Sequence, residues 1–356
     1  MTTVSIGDIA SLKYGKMPPA DVITEEGYPI FSGYRVTGFA KEYTHQDRML
    51  VVVARGVGGT GDVKISPPES WITNLSIVLD LNVAKVDRDY LFYKLQTERL
   101  KDRLDTGAAQ SQITIANLAP YKINIHDLHS QRLIAATLRS YDDLIANNKR
   151  RIELLEQSAR LLYREWFVRL KYPGHEHDKV VDGAPEGWEH LPLGDLFTLQ
   201  RGFDLPIQYR KTGQVPIYAS TGITGYHDVA KVPGPGLVTG RSGSLGQVLY
   251  VSKDYWPLNT TLWVKEFMRV GVLYAKHLLE SLSLEKFNGG AAVPTLNRND
   301  VHRIRVLCPP EPLHNQFEAV TEPVDCQIEC LQLYNAKLAK ARDLLLPRLL
   351  DGRISV

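Results

Sequence analysis

Cysteine is scarce in this chain, with three among 356 residues. Cys308, Cys326 and Cys330 make no disulfide framework, which fits a reducing compartment. Cys326 and Cys330 stand four apart on an expected helix with His314 upstream. A metal site needs about four suitable ligands and no second pair is found, so buried thiols are expected. Long apolar runs are missing too. None approaches the roughly 20 residues that span a bilayer. The start, MTTVSIGDIASLKYGK, lacks the basic-then-apolar pattern of a secretory leader. A cytoplasmic protein without membrane contact is expected. Nor does one sign of charge dominate: 42 Lys and Arg against 40 Asp and Glu leave +2. Bulk charge therefore leaves a nucleic-acid partner open, because a local basic patch fits within a balanced total. The sequence has no P-loop, no G-x-S-x-G and no H-E-x-x-H. The GHEHD run (174–178) follows Pro173, precedes a Gly/Pro-rich segment and reads as linker.

What the chain does contain is a repeat of itself. SIGDIASLKYGK (5–16) echoes PLGDLFTLQRGF (192–203), and YPIFSGYRVTGF (28–39) echoes VPIYASTGITGY (215–226), both at an offset of 187. After a two-residue gap the offset becomes 185: GVGGTGDV lies on RSGSLGQV, Trp71 on Trp256 and Asn74 on Asn259. DTGAAQSQIT (105–114) then resembles NGGAAVPTLN (288–297), and LHSQ (128–131) echoes LHNQ (313–316). The chain is a tandem duplication of about 180-residue copies, each a globular domain followed by a long helix, within the size range of single domains.

The repeat bears on one tempting motif. Gly56, Gly58 and Gly61 spell GxGxxG after the apolar run MLVVVA, as in a nicotinamide- or flavin-binding site. This alignment places Arg241 at the position of Gly56. A dinucleotide site also needs a helix straight after the glycines. Here DVKISPPESW follows, with a strand-like start and then Pro67–Pro68; QVLYVSKDYW in the second copy alternates like a strand as well. The glycines therefore predict a strand–turn–strand connection. The D-x-K of Asp62–Lys64, suggestive of a metal nuclease, becomes Gln247 and Leu249 in the second copy and reads as a solvated turn.

Two heptad seams follow the globular halves. Ile134, Leu138, Tyr141, Ile145, Asn148, Ile152, Leu155, Ala159, Leu162 and Trp166 keep a strict 4-3 spacing. Val324, Ile328, Leu331, Asn335, Leu338, Arg342, Leu345 and Leu349 do the same. Asn148 and Asn335 are polar seam residues of the kind that fix register. Arg342 weakens the second seam, Pro323 is expected to delay its start and Pro347 to disturb its end. The economical partner for each helix is the other, antiparallel, about 50 Å long at about 1.5 Å per residue. Such a pair would space two similar heads, and major-groove faces recur about every 34–36 Å along a duplex. A bipartite DNA target suits that arrangement. A coiled-coil scaffold without a DNA role is the alternative, and a nicotinamide enzyme a remote one.

The order of these pieces, met twice, resembles the specificity subunit of type I restriction–modification systems over nearly the full length. The resemblance rests on the duplicated GD(I/L) start, the glycine turn after an apolar strand, W-x-x-N, the QRLIAATL helix entry, CPPEPLHNQ and the ending LLLPRLLDGRI. It departs at Ser130 and Asn315, where the family often has Glu; these read as drift at a cap position. The resemblance implies an α+β fold of two target recognition domains separated by an antiparallel two-helix coiled coil. It implies boundaries of 1–128 and 191–312 for the recognition domains, 129–172 and 313–356 for the conserved helices, and 173–190 for the linker. It also implies double-stranded DNA and two adenine-N6 methyltransferase subunits as partners, with motor–nuclease restriction subunits joining through them. S-adenosylmethionine, Mg and ATP would belong to those partners, and this chain would carry no cofactor, no metal and no catalytic residue.

Base reading needs Arg, Lys, Asn or Gln at base edges, with basic and hydroxyl groups on phosphates. The first copy offers Tyr34, Arg35 and Lys41, then Arg55 and Lys64 at the glycine turn, then Gln110, Ser111 and Gln112. The second offers Tyr226 and His227, Arg241 and Ser242, then Asn297 and Arg298. The helix faces 131–166 and 316–349, with apolar LLYREWF (161–167) and LLLPRLL (344–350), are the expected partner surface.

Overall fold

The computed structural model describes residues 1–56, 59–105, 111–181, 183–289 and 294–354. The chain divides into two units, Met1–Asn148 with Leu333–Val356, and Lys149–Gln332. Unit one runs β1 (Thr2–Ser5), α1 (Ile6–Ile9), β2 (Ala10–Tyr14), β3 (Ile23–Thr24), β4 (Tyr28–Phe31), β5 (Val36–Ala40), β6 (Leu50–Val53), β7 (Val63–Ile65), β8 (Trp71–Ile72) and β9 (Ser76–Leu81). Next come α2 (Arg88–Thr97), α3 (Leu100–Leu104), α4 (Ile115–Leu118), β10 (Lys122–Ile125) and the long α5 (Leu128–Tyr163). An antiparallel sheet has the order β2-β9-β6-β7, a second sheet the order β3-β5-β4-β8 with β4 parallel to β8, and β1 pairs with β10.

In the second half of the chain β11 (Val180–Val181) and β12 (Ala184–Pro185) form a small linker hairpin. Then come β13 (Glu189–Pro192), β14 (Phe197–Arg201), β15 (Val215–Ala219), β16 (Gly222–His227), β17 (Gly236–Gly240), β18 (Val248–Val251), β19 (Trp256–Pro257) and β20 (Thr261–Phe267). The unit closes with α6 (Val272–Ser281), α7 (Arg298–His302), β21 (Arg305–Cys308) and the start of α8 (Glu311–Leu350). Its sheets repeat the first unit: β14-β20-β17-β18, β16-β15-β19 with β15 parallel to β19, and β13 with β21. Even irregularities recur. The β4–β5 register shifts at Ile30/Phe31, and β15–β16 shifts at Ile217/Tyr218.

Sequence explains these placements locally. The apolar run of β6, one leucine and three β-branched valines, is buried at all four positions and sits inside its sheet. Gly15 and Gly202 bend the chain tightly against the neighbouring strand end. A Cβ there would strike the carbonyls of Ile72 and Thr73, or of Pro257 and Leu258. In the GD start, the Ser5 hydroxyl accepts the Asp8 N–H (3.2 Å) while the Asp8 carboxylate accepts the Ser5 N–H (2.9 Å). The Ser5 hydroxyl also donates to the Asp8 carboxylate (2.6 Å), and this bond first, then the one from the Ser5 N–H, holds the Asp8 carboxyl below its ordinary range.

The helix seams appear as the 4-3 spacing predicts. Every expected seam residue is buried or half-buried, whereas Leu133, Leu144, Leu154 and Leu161 outside the seam are exposed. In unit one the Asn148 amide donates to Asn335 Oδ1 at 3.0 Å. Arg342, the charged seam residue, meets Asp142, whose other oxygen accepts the Tyr93 hydroxyl at 2.5 Å. As numbers rise on α5 they fall on α8, so the segments run antiparallel. In unit two Tyr163, Trp166 and Phe167 pack around Phe317 and Tyr274.

Three expectations are corrected. Cys326 and Cys330 are exposed on the outer side of α8, and only Cys308 is buried; at four-residue spacing both fall on the face away from the seam. Pro323 and Pro347 neither delay nor end α8, which runs unbroken from Glu311 to Leu350. Fully buried Phe317 and Thr321 on one side, and Leu349 and Leu350 on the other, anchor the helix in the two cores, so packing outweighs each lost backbone bond. For the same reason LLYREWF and LLLPRLL are largely core: Trp166 and Phe167, like Leu349 and Leu350, are buried, leaving Leu161 and Leu344 outside.

Candidate nucleic-acid interface

The glycine stretch joins antiparallel β6 to β7, as predicted, and β17 to β18 in the second unit. A strand follows the glycines where a dinucleotide site needs a helix. Backbone bonds correct the alignment within the turn. Ala54 N–H donates to Leu75 O and its carbonyl accepts Ile113 N–H; Arg241 N–H donates to Thr260 O and its carbonyl accepts Leu296 N–H. Arg241 is therefore the counterpart of Ala54, and Ser242 of Arg55. The Arg55–Gln112 and Ser242–Thr295 bridges agree. The two-residue difference lies inside the turn, and Gly56 matches Gly243, both at positive φ. Residue identity alone did not locate the gap, because several glycines stand within reach of one another.

In unit one the turn is assembled from all three expected segments. The Tyr34 ring packs against the turn, where a Cβ at Gly56 or Gly59 would strike it. Burial, then the charge of Asp62, raises the Tyr34 phenol above its usual pKa. Thr60 hydroxyl donates toward the carbonyls of Gly56 (3.2 Å) and Ser111 (3.3 Å). Asp105 holds the third segment: its carboxylate accepts the Ser111 hydroxyl (2.5 Å) and the Gln112 N–H (2.8 Å). In unit two Asn288 takes that role, accepting the Thr295 N–H at 2.9 Å. Sequence reasoning missed Asp105, Asn288 and Thr60. The first two open the third repeat block in each copy, which was the available signal.

The structure gathers Tyr34, Arg55, Ser111 and Gln112 at one turn, with Arg35 exposed beside Tyr34. Gln110 lies outside the described residues. Lys41 stands apart, 4.0 Å from Asp21, and Lys64 pairs with Asp62 at 3.4 Å on the far limb of the turn. In unit two Arg241 is half-buried, and its guanidinium donates to Asn259 O at 3.3 Å; Ser242 lies beside it. Asn297 caps α7 by accepting the Asn299 N–H at 3.0 Å, and Arg298 is exposed in that helix's first turn. Tyr226 is exposed on β16, at the position Phe39 holds on β5. His227 is corrected: it is 6% exposed, accepts the Lys211 N–H at its Nδ1 (3.1 Å) and packs edge-on against Trp256. A side chain so enclosed does not reach a ligand. Among the described residues no His/Cys/Asp/Glu group is placed to hold a metal, and no helix is long and apolar enough to cross a membrane.

Two copies of one sheet-and-turn unit, each carrying antiparallel seam helices, define a duplicated recognition fold. The family model for the type I restriction modification DNA specificity domain matches residues 1–157 and 185–318. The chain belongs to that family. It is similar to the Type I restriction enzyme MjaIX specificity subunit of Methanocaldococcus jannaschii, 25% identical over 300 residues, 75% of this chain and 69% of the relative. The putative MjaX specificity subunit of the same organism is 23% identical over 317 residues, 81% of this chain and 73% of the relative. The crystal structure of a type I restriction–modification S subunit from M. genitalium shares the fold, with a TM-score of 0.70 at 20% identity over 98% of this chain and 96% of that one.

Proposed function

We propose that this specificity subunit reads a bipartite double-stranded DNA target in the cytoplasm, one half per recognition domain, the domains being residues 1–128 and 191–312. The helices dock two methyltransferase subunits and, through them, restriction subunits. Adenine methylation and cleavage, with their S-adenosylmethionine, Mg and ATP, are the partners' chemistry, and this chain supplies none of the catalytic groups. One observation carries the reading: the glycine turn is built by the same backbone bonds in both units, yet carries Arg55 and Gln112 in one and Arg241, Ser242 and Arg298 in the other. A shared frame with different side chains suits two different half-sites.

The test is a methylome. The chain is expressed with its cognate methyltransferase subunit in a host lacking adenine methylation, and modified adenine is mapped along single DNA molecules. A new motif of two short specific parts around a fixed unread gap is expected. Replacing residues 1–128 with those of another family member should change one part only. A soluble complex that adds no methylation would overturn the reading and leave a coiled-coil scaffold.

A further inference from the structure

The two units repeat one ion-pair device, and the second lacks a part. In unit one both oxygens of Asp142 are engaged, one by the Tyr93 hydroxyl from α2 and one by the Arg342 guanidinium from the facing helix. Asp325 on α8 is the counterpart, 183 residues further on, and one of its oxygens takes the Lys276 ammonium from α6. Its other oxygen, Oδ2, is buried and has no hydrogen-bond partner among the described residues, although the side chain is only 7% exposed. The residue 183 positions before Arg342 is Ala159 on α5, whose methyl group donates nothing. A groove of about 480 Å³ opens here, lined by Asp325, Lys276, His277, Tyr250 and Glu329 among others.

A second orphan lies on the same groove. His277 is 2% exposed, and its Nδ1 lies 3.1 Å from the Glu280 carboxylate. A carboxylate only accepts, so Nδ1 carries a hydrogen toward it. Nε2 is buried without a partner among the described residues. Along the walls the carboxylates of Glu156, Glu280, Asp325 and Glu329 outnumber the cations Arg160 and Lys276. Burial first, then the charges of Asp325 and Glu329, raise the Tyr250 phenol. A buried carboxylate oxygen without a partner and excess negative charge call for a cationic donor.

We propose that the groove receives an arginine side chain of the methyltransferase subunit, its guanidinium on Asp325 Oδ2 as Arg342 sits on Asp142 in unit one. A guanidinium fits better than an ammonium, because its flat fork of five donors serves several acceptors and stacks on a ring such as Tyr250. The proposal rests on the docking reading above.

The test measures calorimetric affinity between the full chain and its purified cognate methyltransferase subunit. The double substitution Lys276→Met with Asp325→Leu removes the pair together and strands no charge. It should weaken docking tenfold or more, while Glu25→Gln, exposed between β3 and β4 and away from the helices, changes it less than twofold. A folded double variant that docks as tightly as the unmodified chain overturns the proposal. Should that variant melt early, the structure of the unmodified complex decides. An arginine nitrogen within hydrogen-bond distance of Asp325 Oδ2 supports the proposal, and water or a buffer cation alone overturns it. If the unmodified chain fails to bind the subunit at all, the docking reading itself falls.

Discussion

Gly59 has no room for a methyl group, because the Tyr34 ring occupies the place of its Cβ. Gly59→Ala must push the ring off the turn, an overpacking cost of about 1–3 kcal/mol. Urea unfolding should show the loss, and adding Tyr34→Ala should recover part of it, a non-additivity that independent sites would not give. Tyr34 thus shapes the turn, which its residue type could not reveal: a tyrosine in a loop reads equally as scaffold or as contact. The arginines differ among themselves in a way that predicts different roles. Arg55 is half-buried on a backbone fixed by the Gln112 bridge, which fixes where its side chain starts. Arg55→Ala should cost about 1–3 kcal/mol of DNA binding and relax one base position. Arg298 is exposed at the start of a five-residue helix. Arg298→Ala should weaken all sequences alike and lower the salt slope by about one. Binding isotherms at several salt concentrations separate the two.

At the scale of elements, the seam helices were the most legible part, because a 3.5-residue period sustained over ten positions has few competing explanations. Sequence also flagged Asn148 and Asn335 as polar intruders, but not that they would meet. Their 3.0 Å bond makes them one device. Asn148→Leu alone strands the Asn335 amide and should cost about 1–3 kcal/mol. The double change to Leu removes both polar groups and should equal or exceed the unmodified chain in melting temperature, while loosening the register. A double-mutant cycle by thermal melting checks the sign of the coupling. The prolines of α8 misled for the opposite reason: a local rule about a missing N–H was outweighed by anchors such as Phe317 and Leu349, which sequence distance hides. His227 was lost similarly, since which end of a short strand turns inward depends on a neighbour, Trp256, 29 residues away.

At the scale of the whole chain, the duplication was legible because glycines and tryptophans with strict backbone or packing duties recur in order, whereas the loops that carry the candidate contact residues diverge. The antiparallel pairing expected of the duplicated helices already returns the second helix to the first domain, and the structure places its last turns in that unit's core. Leu349 and Leu350, nearly at the C-terminus, lie in one core with Ile6, Tyr90 and Leu138. Leu349 is 2% exposed, so Leu349→Ala opens a cavity and should cost about 2–5 kcal/mol. That cost falls on one unit. Hydrogen exchange read by mass spectrometry should show faster exchange across residues 1–148 while peptides from 149–332 keep their protection. Equal loss in both would mean that the units unfold as one cooperative body. No loss in either would mean that the C-terminal turns contribute nothing to the first core. If only the first unit responds, a substitution at the end of the sequence governs the stability of the domain at its beginning, and the helices serve as structural members of each recognition unit as well as links between them.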